Sequence, residues 1–148
     1  MTLCLVHQPP KILLRMKKKG FGAGRWNGFG GKVEPGEKIE DAAKREIWEE
    51  AGIKVENLES VGTVEFEFQC NPEILEVHIF KAKSFSGTPM ETEEMKPQWF
   101  NEEDIPFDQM WSDDKFWMPL FLAGKKFKGR FLFGKGDRVL EHRLKKIK

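Results

Sequence analysis

The sequence predicts an α+β domain, an α/β/α sandwich in which a mixed β-sheet carries helices on both faces. Three observations carry that prediction. Ile39, Ala43, Ile47 and Ala51 recur every four positions and lay an apolar stripe along a helix. Short runs rich in β-branched and aromatic residues stand on both sides of it. A second helical segment lies far downstream, so strands interleave with two separated helices along the chain.

Taken in order, Thr2 to Val6 and Lys11 to Lys17 read as strands, turned at Gln8-Pro9-Pro10. A glycine-rich loop follows from Gly20 to Gly31. The first helix covers Lys38 to Ala51, with Gly52 as its stop. Strands are expected at Leu58 to Gln69 and Ile74 to Ser84, and a short one at Trp99-Phe100. The second helix starts near Ser112 or Asp113 and covers Phe116 to Leu122. Phe127 to Phe133 and Asp137 to Leu144 read as a hairpin joined through Gly134-Lys135-Gly136. No repeat, low-complexity tract or linker divides the chain, so residues 1–148 are read as one domain.

Composition narrows the classes of function. Among 148 residues, 13 Phe and 5 Trp supply enough bulky apolar surface for a core, which argues against disorder. Lys plus Arg number 25 against 24 Asp plus Glu, and a net charge of +1 gives no general attraction for a duplex, so polymeric nucleic acid is not expected as a partner. Cys4 and Cys70 lie far apart without CxxC spacing, which suggests neither a disulfide framework nor a cysteine zinc site and fits a reducing compartment. No apolar run approaches the roughly 18 residues a membrane span needs, and Met1 to Val6 is too short for the apolar part of a signal peptide. The expectation is a soluble, cytoplasmic monomer acting on a small molecule, with no membrane partner.

Glu46, Glu49 and Glu50 stand at i, i+3 and i+4, so on a helix their carboxylates project from one face within reach of a shared ion. Like charges this close repel unless a cation neutralises them. Hard oxygen ligands without His or Cys suit Mg²⁺ or Mn²⁺ rather than zinc, and His7, His78 and His142 form no ligand pattern. Read alone, the cluster would also suit a solvated acidic face. The glycine-rich loop has neither the dinucleotide-binding spacing nor a Walker P-loop, and read alone it is a flexible connection as well as a candidate phosphate cradle. Lys17, Lys18, Lys19, Arg25 and Lys32 flank it and could meet phosphate oxygens or stay solvated.

From Gly31 the chain reads G-K-V-E-P-G-E, then seven residues, then R-E-I-W-E-E-A-G-I ending at Ile53. This resembles the Nudix box, Gly-x5-Glu-x7-Arg-Glu-U-x-Glu-Glu-x-Gly-U with U apolar, at every specified position: Gly31, Glu37, Arg45, Glu46, Ile47, Glu49, Glu50, Gly52 and Ile53. The resemblance implies a pyrophosphohydrolase in which Glu46, Glu49, Glu50 and a backbone carbonyl near Gly30 hold Mg²⁺, or Mn²⁺ in its place. Arg45, four residues before Glu49, can pair with it and hold the ligand geometry. Glu37 sits outside the acidic stripe, with an expected structural role at the helix entry. Glu94 matches a position where the family can add a carboxylate to the metal or the attacking water, its other reading being a loop surface acid. Spacing does not choose Glu50 or Glu94 as general base, because that depends on reach to the water.

The resemblance extends further. K-K-K-G-F-G-A-G-R-W-N-G-F-G-G-K from Lys17, F-E-F at Phe66 to Phe68, G-T-P at Gly87, E-E-M-K-P-Q-W-F from Glu93 and I-P-F-D-Q-M-W-S-D-D from Ile105 are similar to the animal branch of this family that acts on oxidised purine nucleoside triphosphates. That branch implies hydrolysis of 8-oxo-dGTP and 2-oxo-dATP to the monophosphate and pyrophosphate, with water attacking the β-phosphorus. It implies a pocket in which Asn27, Asp113 and Asp114 hydrogen-bond the purine edge while Phe21, Phe66, Met95 and Trp111 surround the ring. Thr2 and Lys17 match substrate-contacting positions, and Phe29, Gly30, Gly31, Lys32 and Ser112 complete the expected set. One protonated Asp could donate where the other accepts, so the pair could serve both oxidised guanine and oxidised adenine. Without the resemblance, Asp113 and Asp114 would read as a helix cap after Ser112, and Trp111 and Phe21 as core aromatics. The alternatives are a family member of other substrate, such as O6-methyl-dGTP, and a nucleotide-binding protein that lost catalysis. Intact Arg45, Glu46, Glu49 and Glu50 argue against the second.

Overall fold

In the computed structural model, which describes Met1 to Lys148, the strands are β1 (Thr2–Gln8), β2 (Lys11–Lys17), β3 (Trp26–Asn27), β4 (Glu59–Phe68), β5 (Asn71–Ala82), β6 (Met95–Asn101), β7 (Lys126–Phe133) and β8 (Val139–Ile147). The helices are α1 (Ile39–Ala51) and α2 (Asp114–Leu122). All strands join one sheet in the order β3-β2-β1-β5-β4-β7-β8, with β6 also paired to β2. The β1–β5 and β4–β7 pairs are parallel and the others antiparallel, so the sheet is mixed as expected.

The two-residue period of a strand decides which core each side chain enters. Cys4 and Val6 of β1 and Leu13 of β2 pack with Ile47 and Ala51 of α1. Their neighbours Leu5, Ile12 and Leu14 pack on the opposite face with Trp117, Met118 and Phe121 of α2. The helices therefore cover opposite faces, which is the sandwich. Gly52 ends α1 as predicted, at φ 71° with its N–H donating to the Trp48 carbonyl. Burial on the α1 side pushes the Cys4 thiol up to about 12, so it is an inert packing residue. No helix is long and apolar enough to cross a membrane.

Several boundaries depart from the sequence reading. The glycine-rich loop contains β3, where Asn27 pairs with Arg15 and Trp26 with Met16, too short a run for any period to show. β6 spans seven residues rather than only Trp99-Phe100. Pro97 disguises it, yet a proline is accommodated because β6 pairs with β2 alone. β5 begins at Asn71 rather than Ile74, and β8 continues to Ile147 rather than ending at Leu144. α2 starts at Asp114, and Asp113 ahead of it makes no side-chain capping bond, so the capping alternative fails.

Candidate functional site

The site forms where the chain between β3 and α1 runs along the start of β1. Phe29 and Cys4 exchange both backbone hydrogen bonds, at 2.5 and 2.8 Å, and the Thr2 N–H donates to the Gly31 carbonyl at 2.8 Å. The approach is so close that a Cβ on Gly30 would stand 1.8 Å from the Thr2 carbonyl oxygen. A Cβ on Gly31 would stand 2.6 Å from the Glu46 carboxyl carbon. Glycine is needed at Gly30 for space, whereas a side chain at Gly31 would displace the Glu46 carboxylate.

The helix presents its carboxylates to this loop. Glu50 Oε1 accepts the Gly30 N–H at 3.0 Å. Its Oε2 lies 3.0 Å from Arg15 Nε, but that N–H is directed at the Gly28 carbonyl, 2.8 Å away, and Oε2 is left buried without a donor. Burial, opposed by Arg15 and reinforced by the charge of Glu46, pushes the Glu50 carboxyl up to about 7. Arg45 grips Glu37 with Nε and Nη2 at 2.9 and 3.0 Å, and its Nη1 reaches Glu46 at 2.9 Å and Glu49 at 3.3 Å. Its Nη2 also donates to the Lys32 carbonyl at 3.1 Å, tying loop to helix. The guanidinium hydrogen bonds hold Glu37 below its ordinary carboxylate value. Arg45 thus pairs with Glu49 as expected, with Glu37 as its main partner, and Glu37 has the helix-entry role predicted for it.

The three glutamates do not converge on one point as the spacing alone suggested. Like charges repel, and two carboxylates are drawn to Arg45 while Glu50 turns inward. The donor set nonetheless suits a divalent cation. Glu50 Oε2 is an orphaned buried oxygen, Gly31 leaves room beside the Glu46 carboxylate, and every nearby donor is a hard oxygen.

A cavity of about 260 Å³ opens beside this corner, just below the roughly 300–1,000 Å³ usual for ligand sites. It brings together Thr2, Lys17, Phe21, Asn27, Gly30, Gly31, Lys32, Phe66, Trp111, Asp113 and Asp114. Asp113 and Asp114 are each 2% exposed. The Trp117 indole N–H donates to Asp113 Oδ2 at 2.8 Å, whereas Asp114 Oδ2 has no partner. Burial raises both carboxyls, and the charge of Asp113 adds to the rise at Asp114, which stands well above the ordinary range. Such a pair retains a proton. Around it, the Arg25 guanidinium lies 4.2 Å over the Trp111 ring, and Phe21 meets the same ring at 5.3 Å. Arg25 is also ion-paired to Asp137 at 2.9 Å.

Four predicted residues lie elsewhere. Phe29 is fully buried in the α1-side core, because the strand-like pairing with Cys4 turns its ring away from the cavity. Met95 is buried at the end of β6 opposite Lys17 and does not line the cavity, where Leu75 and Val77 of β5 do. The Ser112 hydroxyl donates to the Asp137 carbonyl at 2.6 Å and so faces the β7–β8 turn. Glu94 is exposed, its carbonyl accepts the Lys18 N–H, and its carboxylate makes no hydrogen bond or ion pair. Sequence reasoning missed Arg15, Phe68, Leu75, Val77 and Phe133 of the lining. A charged residue at an interior position of an otherwise apolar strand was the available signal for Arg15.

Known proteins share this architecture. The NUDIX domain family model matches residues 2–121. The oxidized purine nucleoside triphosphate hydrolase of Mus musculus is 56% identical over 146 residues, covering 99% of this chain and 94% of that one. The protein of the same name from Danio rerio is 52% identical over 147 residues, with the same coverage of 99% and 94%. Among solved structures, a MutT protein from Bacillus halodurans superposes with a TM-score of 0.85 at 30% identity, covering 97% of this chain and 95% of that one.

Proposed function

The chain belongs to the Nudix family, and from that premise we propose that it hydrolyses oxidised purine nucleoside triphosphates, 8-oxo-dGTP and 2-oxo-dATP, to the monophosphate and pyrophosphate. The observation that carries the reading is the buried Asp113–Asp114 pair in an aromatic cavity whose wall includes Arg15, Gly30 and Gly31, the residues that contact Glu50 and Glu46. A base held at one end of this cavity extends its phosphates toward the other.

Each residue has a part. Asn27 offers both a donor and an acceptor to a purine edge. The Asp pair with its retained proton offers a donor and acceptors, so it can match either oxidised base by moving that proton. Trp111, Phe21 and Phe66 supply ring faces, and Lys17 and Lys32 supply charge for phosphate oxygens. Glu46, Glu49, Glu50 and the Gly30 carbonyl would hold a divalent cation, Mg²⁺ in the first instance. When bound, it supplies charge neutralisation for the phosphates and lowers the pKa of a coordinated water. Arg45 keeps Glu46 and Glu49 beside the Lys32 backbone. Between the two carboxylates considered as general base, the buried Glu50 is favoured over the exposed Glu94.

Competition between 8-oxo-dGTP, 2-oxo-dATP, O6-methyl-dGTP and dGTP, measured as kcat/KM ratios, tests the reading. The two oxidised nucleotides should lead. Preference for dGTP would end it, and preference for the methylated nucleotide would replace it with the family's other-substrate alternative.

A further inference from the structure

Arg15 lies outside both the box and the segments that resemble the oxidised-purine branch, yet it stands at the junction of the two halves of the site. It is 9% exposed and lines the cavity. Its strand neighbours Leu14 and Met16 pack toward the α2-side core, so Arg15 and Lys17 point to the α1 face, where Gly28 to Gly31 and Glu50 lie. Nε donates to the Gly28 carbonyl at 2.8 Å and stands 3.0 Å from Glu50 Oε2. The remaining donors of the guanidinium fork make no hydrogen bond within the chain, and Glu50 Oε2 receives none. Those donors are open to the cavity rather than sealed, and a guanidinium fork that opens on a ligand cavity suits an anionic oxygen pair. The base-reading groups Asp113 and Asp114 belong to the α2 side of the sheet. Asn27, the register partner of Arg15, shares its face but is neutral and reads a neutral base edge, so the anion that completes the guanidinium fork is phosphate.

We propose that Arg15 is a phosphate-binding residue, and that it exchanges Glu50 for a phosphate oxygen of the bound nucleotide. The inference rests on the reading above, in that the phosphate is the one retained in the monophosphate product. It has two consequences of opposite sign. Loss of Arg15 weakens binding of a nucleoside monophosphate. It also tightens divalent-cation binding by the nucleotide-free chain, because Glu50 loses a competing positive charge.

Calorimetry on the full chain in chelator, with 8-oxo-dGMP and with the phosphate-free nucleoside 8-oxo-deoxyguanosine, separates phosphate from base contacts. In the unmodified protein the monophosphate binds more tightly. In Arg15→Gln that advantage falls by about 10- to 100-fold, as for loss of a charged hydrogen bond, while nucleoside affinity holds. Arg15→Lys restores part of it, since charge without the fork is an incomplete substitute. Mn²⁺ binding without nucleotide, followed by electron paramagnetic resonance, tightens in Arg15→Gln. Equal weakening of nucleoside and monophosphate would move Arg15 to the base and overturn the proposal, as would an unchanged phosphate advantage. Unchanged Mn²⁺ affinity would remove the exchange. Should Arg15→Gln fail to fold, the double variant Arg15→Gln/Glu50→Gln leaves no unpaired buried charge and must show the same lost phosphate advantage. If the unmodified protein binds the oxidised ligands no better than dGMP and deoxyguanosine, the substrate reading falls instead, and the same comparison with that unoxidised pair still decides the role of Arg15.

Discussion

Replacing Asp114 by Asn tests whether the buried pair keeps a proton that the unfolded chain releases. An unfolded Asp carboxyl gives up its proton near pH 4, at about 3.9. In the fold, burial and the neighbouring Asp113 hold Asp114 well above that. Between the two values the native state carries a proton the unfolded state lacks, so unfolding stability falls as pH rises. The contribution is fully present below the unfolded pKa and is lost as pH climbs through the folded one. One retained proton corresponds to about 1.4 kcal/mol per pH unit. Asparagine is nearly isosteric and needs no proton, so the stability of Asp114→Asn relative to the unmodified protein should rise by up to about 1.4 kcal/mol for each pH unit above about pH 4 over which Asp114 keeps its proton. Glu50 and His7 are also displaced from their ordinary values, but both are common to the two proteins and cancel in the difference; Asp113, which contacts residue 114, does not cancel, and repeating the comparison in an Asp113→Asn background removes it. Urea unfolding read by tryptophan fluorescence is the assay, and with a slope of about 2 kcal/mol/M the midpoints should separate by up to about 0.7 M per pH unit. Parallel pH dependences would refute the reasoning, because they would mean that Asp114 is ionised in the fold despite its burial.

Glu50→Gln should lower Mg²⁺-dependent turnover by more than about 100-fold, beyond what loss of an outer hydrogen-bonding partner costs, while monophosphate binding by calorimetry is not weakened. Surviving turnover would remove Glu50 from the metal site. Phe29→Ala should destabilise the protein by about 3–5 kcal/mol in a thermal melt, as a core aromatic does, yet leave the 8-oxo-dGTP over dGTP ratio of kcat/KM where it was. A collapsed ratio with unchanged stability would return Phe29 to the pocket. Gly30→Ala and Gly31→Ala should diverge, because the first pushes a Cβ into the rigid Thr2 backbone and lowers the melting temperature, whereas the second meets only the mobile end of Glu46 and lowers metal affinity. Matching melts would contradict the geometry. Asn27→Ala should reduce discrimination for the oxidised base by about 1–3 kcal/mol, read from competing substrates.

The layered fold was legible because its signals are periodic. The four-residue stripe of α1 and the runs in β1, β2, β4 and β7 each bury what their spacing says they should. The two-residue β3 and the proline-bearing β6 were not, since both are held by pairing to β2 rather than by any local preference. The metal corner was legible in type and order. The way Arg15 and Arg45 divide the carboxylates was not, because that depends on which side chains a third dimension brings within 3 Å. The base pocket was legible only through resemblance. Phe29 and Ser112 sit in the same matching segments as Asn27 and Asp113, and a linear match cannot tell which alternate residue faces the cavity.

That last failure points to what organises the site. β1 and β2 send successive side chains to opposite faces, so two chemistries can occupy adjacent positions without interfering. On the α1 face lie charged groups and close backbone: Arg15, Glu50, Gly30 and Gly31. On the α2 face lie apolar walls from β4, β5 and β7 and one acid pair buried deeply enough to hold its proton. A carboxyl that keeps its proton needs the dry side, and carboxylates that bind a cation need neighbours that compensate charge. Had both sets shared one face, Arg15 or Lys17 beside Asp114 would favour its ionised form and remove the donor the base requires. The sheet turns the two environments to opposite faces while the cavity, lined by residues of both including Thr2 and Asn27, lets one nucleotide reach both.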